Sequence, residues 1–158
     1  MQLNKPAHSR PIDPNDYRKL YPFQSNFMDR NGLGYHFVDQ GTGDLGDRMQ
    51  RMFNTLPVGP VVIIGSDIPN IECADIAEAF NQLGRHDAVF GPAPDGGYWL
   101  VGQSRRRTVL QIFGNVRWSS EHALADTMKN LKGTSVNLLR QLADVDDAAS
   151  YRNWLRGK

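Results

Sequence analysis

The sequence is poor in the features that mark several protein classes. Its 158 residues include one cysteine, Cys73. A single thiol excludes an internal disulfide and a cysteine-based zinc site, and fits a reducing compartment. Neither sign of charge is in excess: 18 Lys and Arg against 17 Asp and Glu leave a net charge of +1. That argues against broad electrostatic binding to nucleic acid or to an anionic membrane. No apolar run approaches the ~18–20 residues of a membrane span. The start, Met1-Gln-Leu-Asn-Lys-Pro6, lacks the apolar core of a signal peptide. His8, His36, His86 and His122 are dispersed, without metal-ligand spacing. Neither an internal repeat nor a low-complexity tract is visible. A soluble cytoplasmic domain is the expectation.

What is present is a chain of single-domain size, long enough to bury roughly 70% of its unfolded surface. Residues 1–34 are rich in Pro, Asn and Asp and read as an irregular lead-in, with a short helix near Asp16 to Leu20 and a turn at Asn31-Gly32. From residue 35 strand and helix patterns alternate. Tyr35–Gln40 reads as a strand. Leu45, Met49, Met52, Phe53 and Leu56 form one helical face ended by Pro57 and Gly59. Val61-Val-Ile-Ile64 is an apolar run expected to be a central strand buried on both faces. Cys73, Ile76, Phe80 and Leu83 line the next helix, stopped by Gly84. Ala88–Gly91 and Tyr98–Val101 read as strands, and the short link between them allows an antiparallel or sharply bent pair. Ser119 is a plausible N-cap for a helix with the stripe Leu124, Met128 and Leu131. Ser135–Leu139 reads as a strand, and Tyr151 and Leu155 lie on a final helix. The alternation predicts an α/β three-layer sandwich with a mostly parallel sheet.

Several groupings suggest chemistry, each with a plainer explanation beside it. Asp67 follows the Val61 strand, where ligands bind in open α/β sheets and where a carboxylate commonly holds a divalent metal; it equally caps a turn. Gly41-Thr-Gly43-Asp44-Leu-Gly46 matches the dinucleotide fingerprint, and Asp67 falls about 20 residues on, as that fingerprint expects. Asp44 and Asp47, however, would bring negative charge to the helix start that receives a pyrophosphate. A glycine turn with acidic capping explains the same residues. Asp95-Gly96-Gly97-Tyr98 offers close backbone approach to a ligand, or simply a tight connection. Asp144 and Asp146, alternate residues of an extended segment, could join Asp67 around Mg²⁺ or Mn²⁺; Asp146 or Asp147 could instead cap the last helix. Arg105–Arg107 reads as a solvated loop, Cys73 as packed in its helix, and Trp99 and Trp118 as core.

Five motifs in order carry a resemblance. They are Gln40-Gly-Thr-Gly-Asp-Leu-Gly-Asp-Arg-Met49, Ile64-Gly-Ser-Asp-Ile-Pro69, Phe90-Gly-Pro-Ala-Pro-Asp-Gly-Gly-Tyr-Trp-Leu-Val-Gly102, Arg117-Trp-Ser-Ser-Glu-His122 and Leu142-Ala-Asp-Val-Asp146. From about Gln40 onward the chain resembles a bacterial family of GT-A-like glycosyltransferases long catalogued as a domain of unknown function. That family is related to nucleotidyltransferases acting on sugar phosphates, molybdopterin or phospholactate. The resemblance implies a GT-A, nucleotide-diphospho-sugar transferase fold over residues 35–158. It implies a nucleotide sugar or nucleoside triphosphate as substrate, with an acceptor left open. By position it implies Asp67, Asp144 and Asp146 on the metal, Gln40, Gly41, Gly43 and Asp44 on the nucleotide side, and Gly96, Gly97, Tyr98, Trp118 and Ser119 near the acceptor, with Asp95 the candidate to orient or deprotonate it.

This chain departs from the family pattern at two places. Members begin with a strand and a basic loop of the type Lys-x-Pro-x-x-Gly-x-x-Lys-Thr-Arg-Leu that cradles the nucleotide phosphates, and Asn4-Lys5-Pro6-Ala7-His8-Ser9-Arg10 echoes it only faintly. The part not matched is on the order of 50 residues, more than one βαβ unit of ~30. The expectation is an amino-terminally truncated domain whose sheet exposes an edge, and hence a homo-oligomer. Pro94 also stands where the family has a polar residue. The other expectation, from the absent loop, is a non-catalytic member that binds a ligand or partner through the remaining cleft.

Overall fold

A computed structural model of the chain describes residues 26–30 and 33–156; the short helix expected near Asp16 lies outside them. The described residues fall into two units, one ending at Asp39 and one beginning at Gln40. In the first, β1 (Asn26–Arg30) and β2 (Leu33–Phe37) pair antiparallel, with Asn26 opposite Phe37 and Arg30 opposite Leu33. Asn26–Arg30 is thus a strand where irregular chain was expected.

The second unit runs α1 (Leu45–Thr55), β3 (Val61–Ile64), α2 (Cys73–Leu83), β4 (Ala88–Pro92), β5 (Tyr98–Gln103), α3 (Ala123–Lys129), β6 (Val136–Leu138) and α4 (Ala148–Arg156). Helix α1 begins where the sequence places it. The Asp44 carboxylate accepts from the Asp47 amide at 2.8 Å, and the Asp47 carboxylate accepts from the Asp44 amide at 3.2 Å. This reciprocal capping satisfies two amides left over at any helix start. It also uses up the two acidic residues of the glycine-rich motif.

The sheet order is β3-β5-β4-β6. Two of its three pairings, β3 with β5 and β4 with β5, are antiparallel, and only β4 with β6 is parallel. The expectation of a mostly parallel sheet is therefore corrected to a mixed, mostly antiparallel one. The cause is the short link from Pro92 to Tyr98, which permits only a reversal of direction. As a consequence β5 lies between β3 and β4, and β3 stands at the sheet edge with one neighbour among the described residues. The expectation that Val61–Ile64 is a central strand buried on both faces is also overturned: Val61 to Ile63 are half-buried, and Ile64 is 48% exposed.

Alternating strand residues feed two apolar clusters. Phe90 and Val101 join Met49 and Phe53 of α1, Ile112, Phe113 and Leu131, with Leu124 and Met128 of α3 packed against them. Val89 and Leu100 join Ala79 and Leu83 of α2, with Ile68, Trp99 and Leu142. Helices therefore cover both faces of the sheet, the α/β layering that the sequence pattern implies. Two side chains of α2 differ from expectation. Cys73 and Phe80 are exposed, while Asp75, Ala79 and Leu83 are the buried positions. The Asp75 carboxylate tips the helix this way, because it is held by the Arg140 guanidinium at 2.5 and 2.6 Å.

The Arg105-Arg-Arg107 stretch is not simply a solvated loop. Arg105 donates to the carbonyls of Leu56 and Pro57 at 2.5 and 2.8 Å, and Arg106 donates to the Leu83 carbonyl at 2.6 Å. Neither α1 nor α2 carries a basic residue in its own last turn. The β5–α3 connection supplies both helix ends with the cation that their carbonyls favour. Replacing Arg105 with Met should cost roughly 1.5–3 kcal/mol, the range for hydrogen bonds to a charged group. Urea denaturation checks this, and an unchanged midpoint would show that the contacts contribute nothing.

Candidate functional site

Beyond the β3 and β5 ends of the sheet lies a cleft of about 650 Å³. Its floor is apolar, with Met49 and Met52 of α1, Ile63 and Ile64 of β3, and Ile68. Asp67, Asp95, Asp144 and Asp146 line it, as do Gln40, Gly97, Tyr98, Trp118 and Ser119. Nine of the residues singled out from sequence are thus brought to one cavity from five separate stretches of chain.

The acidic residues meet because of one main-chain contact. The Val145 amide donates to the Asp67 carbonyl at 2.9 Å, which brings the Asp144-Val-Asp146 segment to the turn after β3. The Asp144 carboxylate, above all, holds Asp146 above its ordinary carboxyl value; burial and the Asp67, Asp95 and Asp147 carboxylates push the same way. No cation contributes to that shift. Among the described residues, no three acidic, His or Cys side chains stand close enough together to hold a metal ion as they are. The donor chemistry is nonetheless that of a hard divalent cation: carboxylate oxygens only, mutually repelling and open to solvent.

Asp95 sits in the tight connection between β4 and β5. Its carboxylate accepts from the Gly97 amide at 2.9 Å, and the Ala93 amide donates to the Gly97 carbonyl at 3.0 Å. Gly96 has φ +88°, and a Cβ there would run into the Glu121 backbone. The Leu124 amide donates to the Gly96 carbonyl at 3.0 Å, locking this turn to the start of α3. Gly96 therefore supports the site without lining it.

Gly41, Gly43 and Asp44 are likewise outside the cleft lining. Gly41 has φ +74°, and the Arg51 guanidinium covers the place where a Cβ would stand. Arg51 donates there to the carbonyls of Gln40 and Thr42. Gly43, at φ +108°, lies against Asp47. The fingerprint-like spacing is accounted for by turn geometry and helix capping.

Ser119 is not a helix cap. Helix α3 begins at Ala123, with His122 at the cap position and no side-chain cap bond. Ser120 takes the local polar contacts instead: its hydroxyl donates to the Arg117 carbonyl at 2.7 Å and accepts from the His122 amide at 3.3 Å. Ser119 is left with φ +54°, a left-handed conformation that a non-glycine residue adopts only when its surroundings impose it. Trp118 lines the cleft, packed edgewise against Tyr98 with ring centroids 6.5 Å apart, and its indole N–H is buried without a partner. Burial pushes the Tyr98 phenol up to about 12, so it stays neutral.

The ion pair holding this loop was not singled out from sequence. Arg117 grips the buried Asp126 carboxylate at 2.7 and 2.9 Å, and Lys129 adds a contact at 2.8 Å. The spacing from Asp126 to Lys129 on a helix was a readable signal; the pairing with Arg117 was not, since it crosses a loop. Arg48 on the cleft wall also carried no role in the sequence reading, although its place on the apolar face of α1, one residue before Met49, gave a signal.

Residues 17–120 match the family described as "Uncharacterized protein conserved in bacteria (DUF2064)". The chain belongs to that family. A crystal structure from Desulfovibrio desulfuricans G20, described as a "putative nucleotide-diphospho-sugar transferase", is similar with a TM-score of 0.68 at 30% identity. The similarity covers 75% of this chain and 53% of that one, so this chain spans about half the length of that protein. Among curated proteins none matches significantly. The fold is thus that of an α/β protein of nucleotide-diphospho-sugar transferase type. Among the described residues, no helix is long and apolar enough to cross a membrane.

Two outcomes test the local architecture. Gly96→Ala should destabilise the chain by more than the few tenths of a kcal/mol usual for surface changes, because both the positive φ and the Glu121 backbone oppose a Cβ; a melting temperature equal to the parent's would contradict this. The Arg117 and Lys129 contacts hold Asp126 well below the usual carboxylate range, and the Arg140 contact lowers Asp75. For a lowered carboxyl the stabilisation is fully present above the unfolded value of about 3.9 and is lost as pH falls through the folded value. Melting temperature should therefore fall below about pH 4, and less steeply in Asp126→Asn than in the parent.

Proposed function

We propose that this chain is a transferase domain acting on a nucleotide sugar or a nucleoside triphosphate with Mg²⁺ or Mn²⁺. The observation that carries the reading is the meeting of Asp67 with Asp144 and Asp146 through the Val145–Asp67 hydrogen bond, in a cleft that otherwise offers an apolar floor. The similarity to the "putative nucleotide-diphospho-sugar transferase" supports the same class. Asp67, Asp144 and Asp146 would hold the metal. When bound, such an ion neutralises charge developing on phosphate oxygens as the donor's bond breaks. Gln40, which lines the cleft, would contact the nucleotide. Asp95, fixed by its bond to the Gly97 amide, would orient the acceptor hydroxyl or take its proton. Tyr98, Trp118 and Ser119 would form the acceptor side. The choice between glycosyl and nucleotidyl transfer rests on the bound donor, since one fold and metal site serve both.

One observation favours a second reading, a non-catalytic domain that binds a ligand or partner in the same cleft. The carboxylates are not already gathered at ligand distance among the described residues.

Thermal-shift titration with a panel of nucleoside triphosphates and nucleotide sugars, with and without Mn²⁺, separates the two. A metal-dependent rise in melting temperature for one donor is expected, and Asp67→Asn should remove the metal-dependent part. No shift with any donor would sink the transferase reading. A shift retained in Asp67→Asn would displace the metal site.

A further inference from the structure

The cleft lining mixes acids with one base. Asp67, Asp95, Asp144 and Asp146 line it, and none of them forms an ion pair among the described residues. Arg48 of α1 is the only cation among the described lining residues. Arg48 uses its Nε to donate to the Asp44 carbonyl at 3.3 Å. Among the described residues its side chain makes no other hydrogen bond and no ion pair. The nearby carboxylates of Asp44 and Asp47 are turned to each other's amides in the helix cap. Arg48 therefore lines a cavity that also holds four carboxylates, and among the described residues it pairs with none of them.

Five other arginines are engaged within the fold. Arg117 and Arg140 each grip a buried carboxylate through two nitrogens, Arg105 and Arg106 satisfy helix-end carbonyls, and Arg51 clasps the Gln40–Thr42 turn. An arginine and four carboxylates that share one cleft without an ion pair among the described residues are complementary to a ligand that carries both a cation and an anion. A phosphoanion chelated by a divalent metal has that polarity, and a guanidinium fork matches phosphate oxygens in pairs. We infer that Arg48 is the anion-binding residue of the cleft and that it grips a phosphate group of a metal-chelated di- or triphosphate. This rests on the transferase reading for the identity of the ligand, and goes beyond it in assigning the phosphate contact to α1. It also supplies cationic charge to a cleft whose described part is otherwise acidic.

The test is calorimetric titration of the full chain with inorganic pyrophosphate in the presence of Mg²⁺, for the parent, Arg48→Gln, Arg48→Met and Arg48→Lys. Arg48→Gln and Arg48→Met should bind roughly 10- to 100-fold more weakly, the worth of a charge-assisted pair of hydrogen bonds, with Arg48→Lys between. Mn²⁺ alone should bind Arg48→Gln no more weakly than the parent, because a repelling cation has been removed. A general loss of structure would weaken both ligands, and Arg48→Met keeps the aliphatic stem as a second chance to fold. Pyrophosphate binding that is undiminished in the variants, or absent from the parent, overturns the inference, as does weaker Mn²⁺ binding. The transferase reading fails separately: Arg48-dependent pyrophosphate binding without response to any nucleotide would retain the inference and reject that reading. Nucleotide binding indifferent to Arg48 would do the reverse.

Discussion

A single backbone hydrogen bond, from the Val145 amide to the Asp67 carbonyl, ties the two acidic segments of the cleft together. It is the last rung of a longer ladder. After β6 the chain stays extended. The Leu139 amide donates to Phe90 and the Leu142 amide to Pro92, so the strand continues along β4 before crossing to the end of β3. Side chains fix its course. The Trp99 indole donates to the Arg140 carbonyl at 3.1 Å, and the Arg140 guanidinium turns back to Asp75 and to the Asn70 carbonyl. Each such bond is worth only about 1 kcal/mol net, but together they leave the segment one path. The positions of Asp144 and Asp146 are consequences of that path rather than of any affinity between carboxylates, which repel.

How much of this could be read from residues depends on the range of the interaction involved. Helix α1 was legible because its signals are local: an acidic N-cap, an apolar face at Met49 and Phe53, and Pro57 beyond its end. The reversal between β4 and β5 was legible from the shortness of the Pro92–Tyr98 link. The role of Val61–Ile64 was not. Four apolar residues read alike whether a strand lies centrally or at an edge, and the insertion of β5 between β3 and β4 is a long-range choice that no local pattern records. The same holds for Phe80 and Cys73, whose exposure follows from the pull of Arg140 on Asp75.

The candidate site shows the same division. Asp67 and the Asp144-Val-Asp146 pair could be picked out as carboxylates in the right chemical setting, and the five ordered motifs named their neighbours. The glycine-rich motif admitted a ligand or an acidic cap, and the structure shows the cap, with Arg51, Asp44 and Asp47 serving the turn and the helix start. Ser119 looked like a cap and is instead held in a left-handed conformation on the cleft wall, because Ser120 takes the local hydrogen bonds. Both ambiguities arise where one residue type serves two physical roles and only the tertiary neighbours choose between them.

The distribution of paired and unpaired charge is then the strongest structural argument for a functional cleft. A carboxylate is stabilised most simply by an arginine, and this chain does so at Asp75 and Asp126, where burial would otherwise make the charge costly. It has further arginines, and directs Arg105 and Arg106 to helix ends rather than to the acids of the cleft. Leaving Asp67, Asp95, Asp144 and Asp146 without an ion pair among the described residues forgoes stabilisation, and Asp146 is held above its ordinary carboxyl value. Acidic residues placed for solubility need no concavity and no shared neighbourhood. Functional sites are where local stability is commonly forgone, and here the repulsion is concentrated at the point where a cation would relieve it.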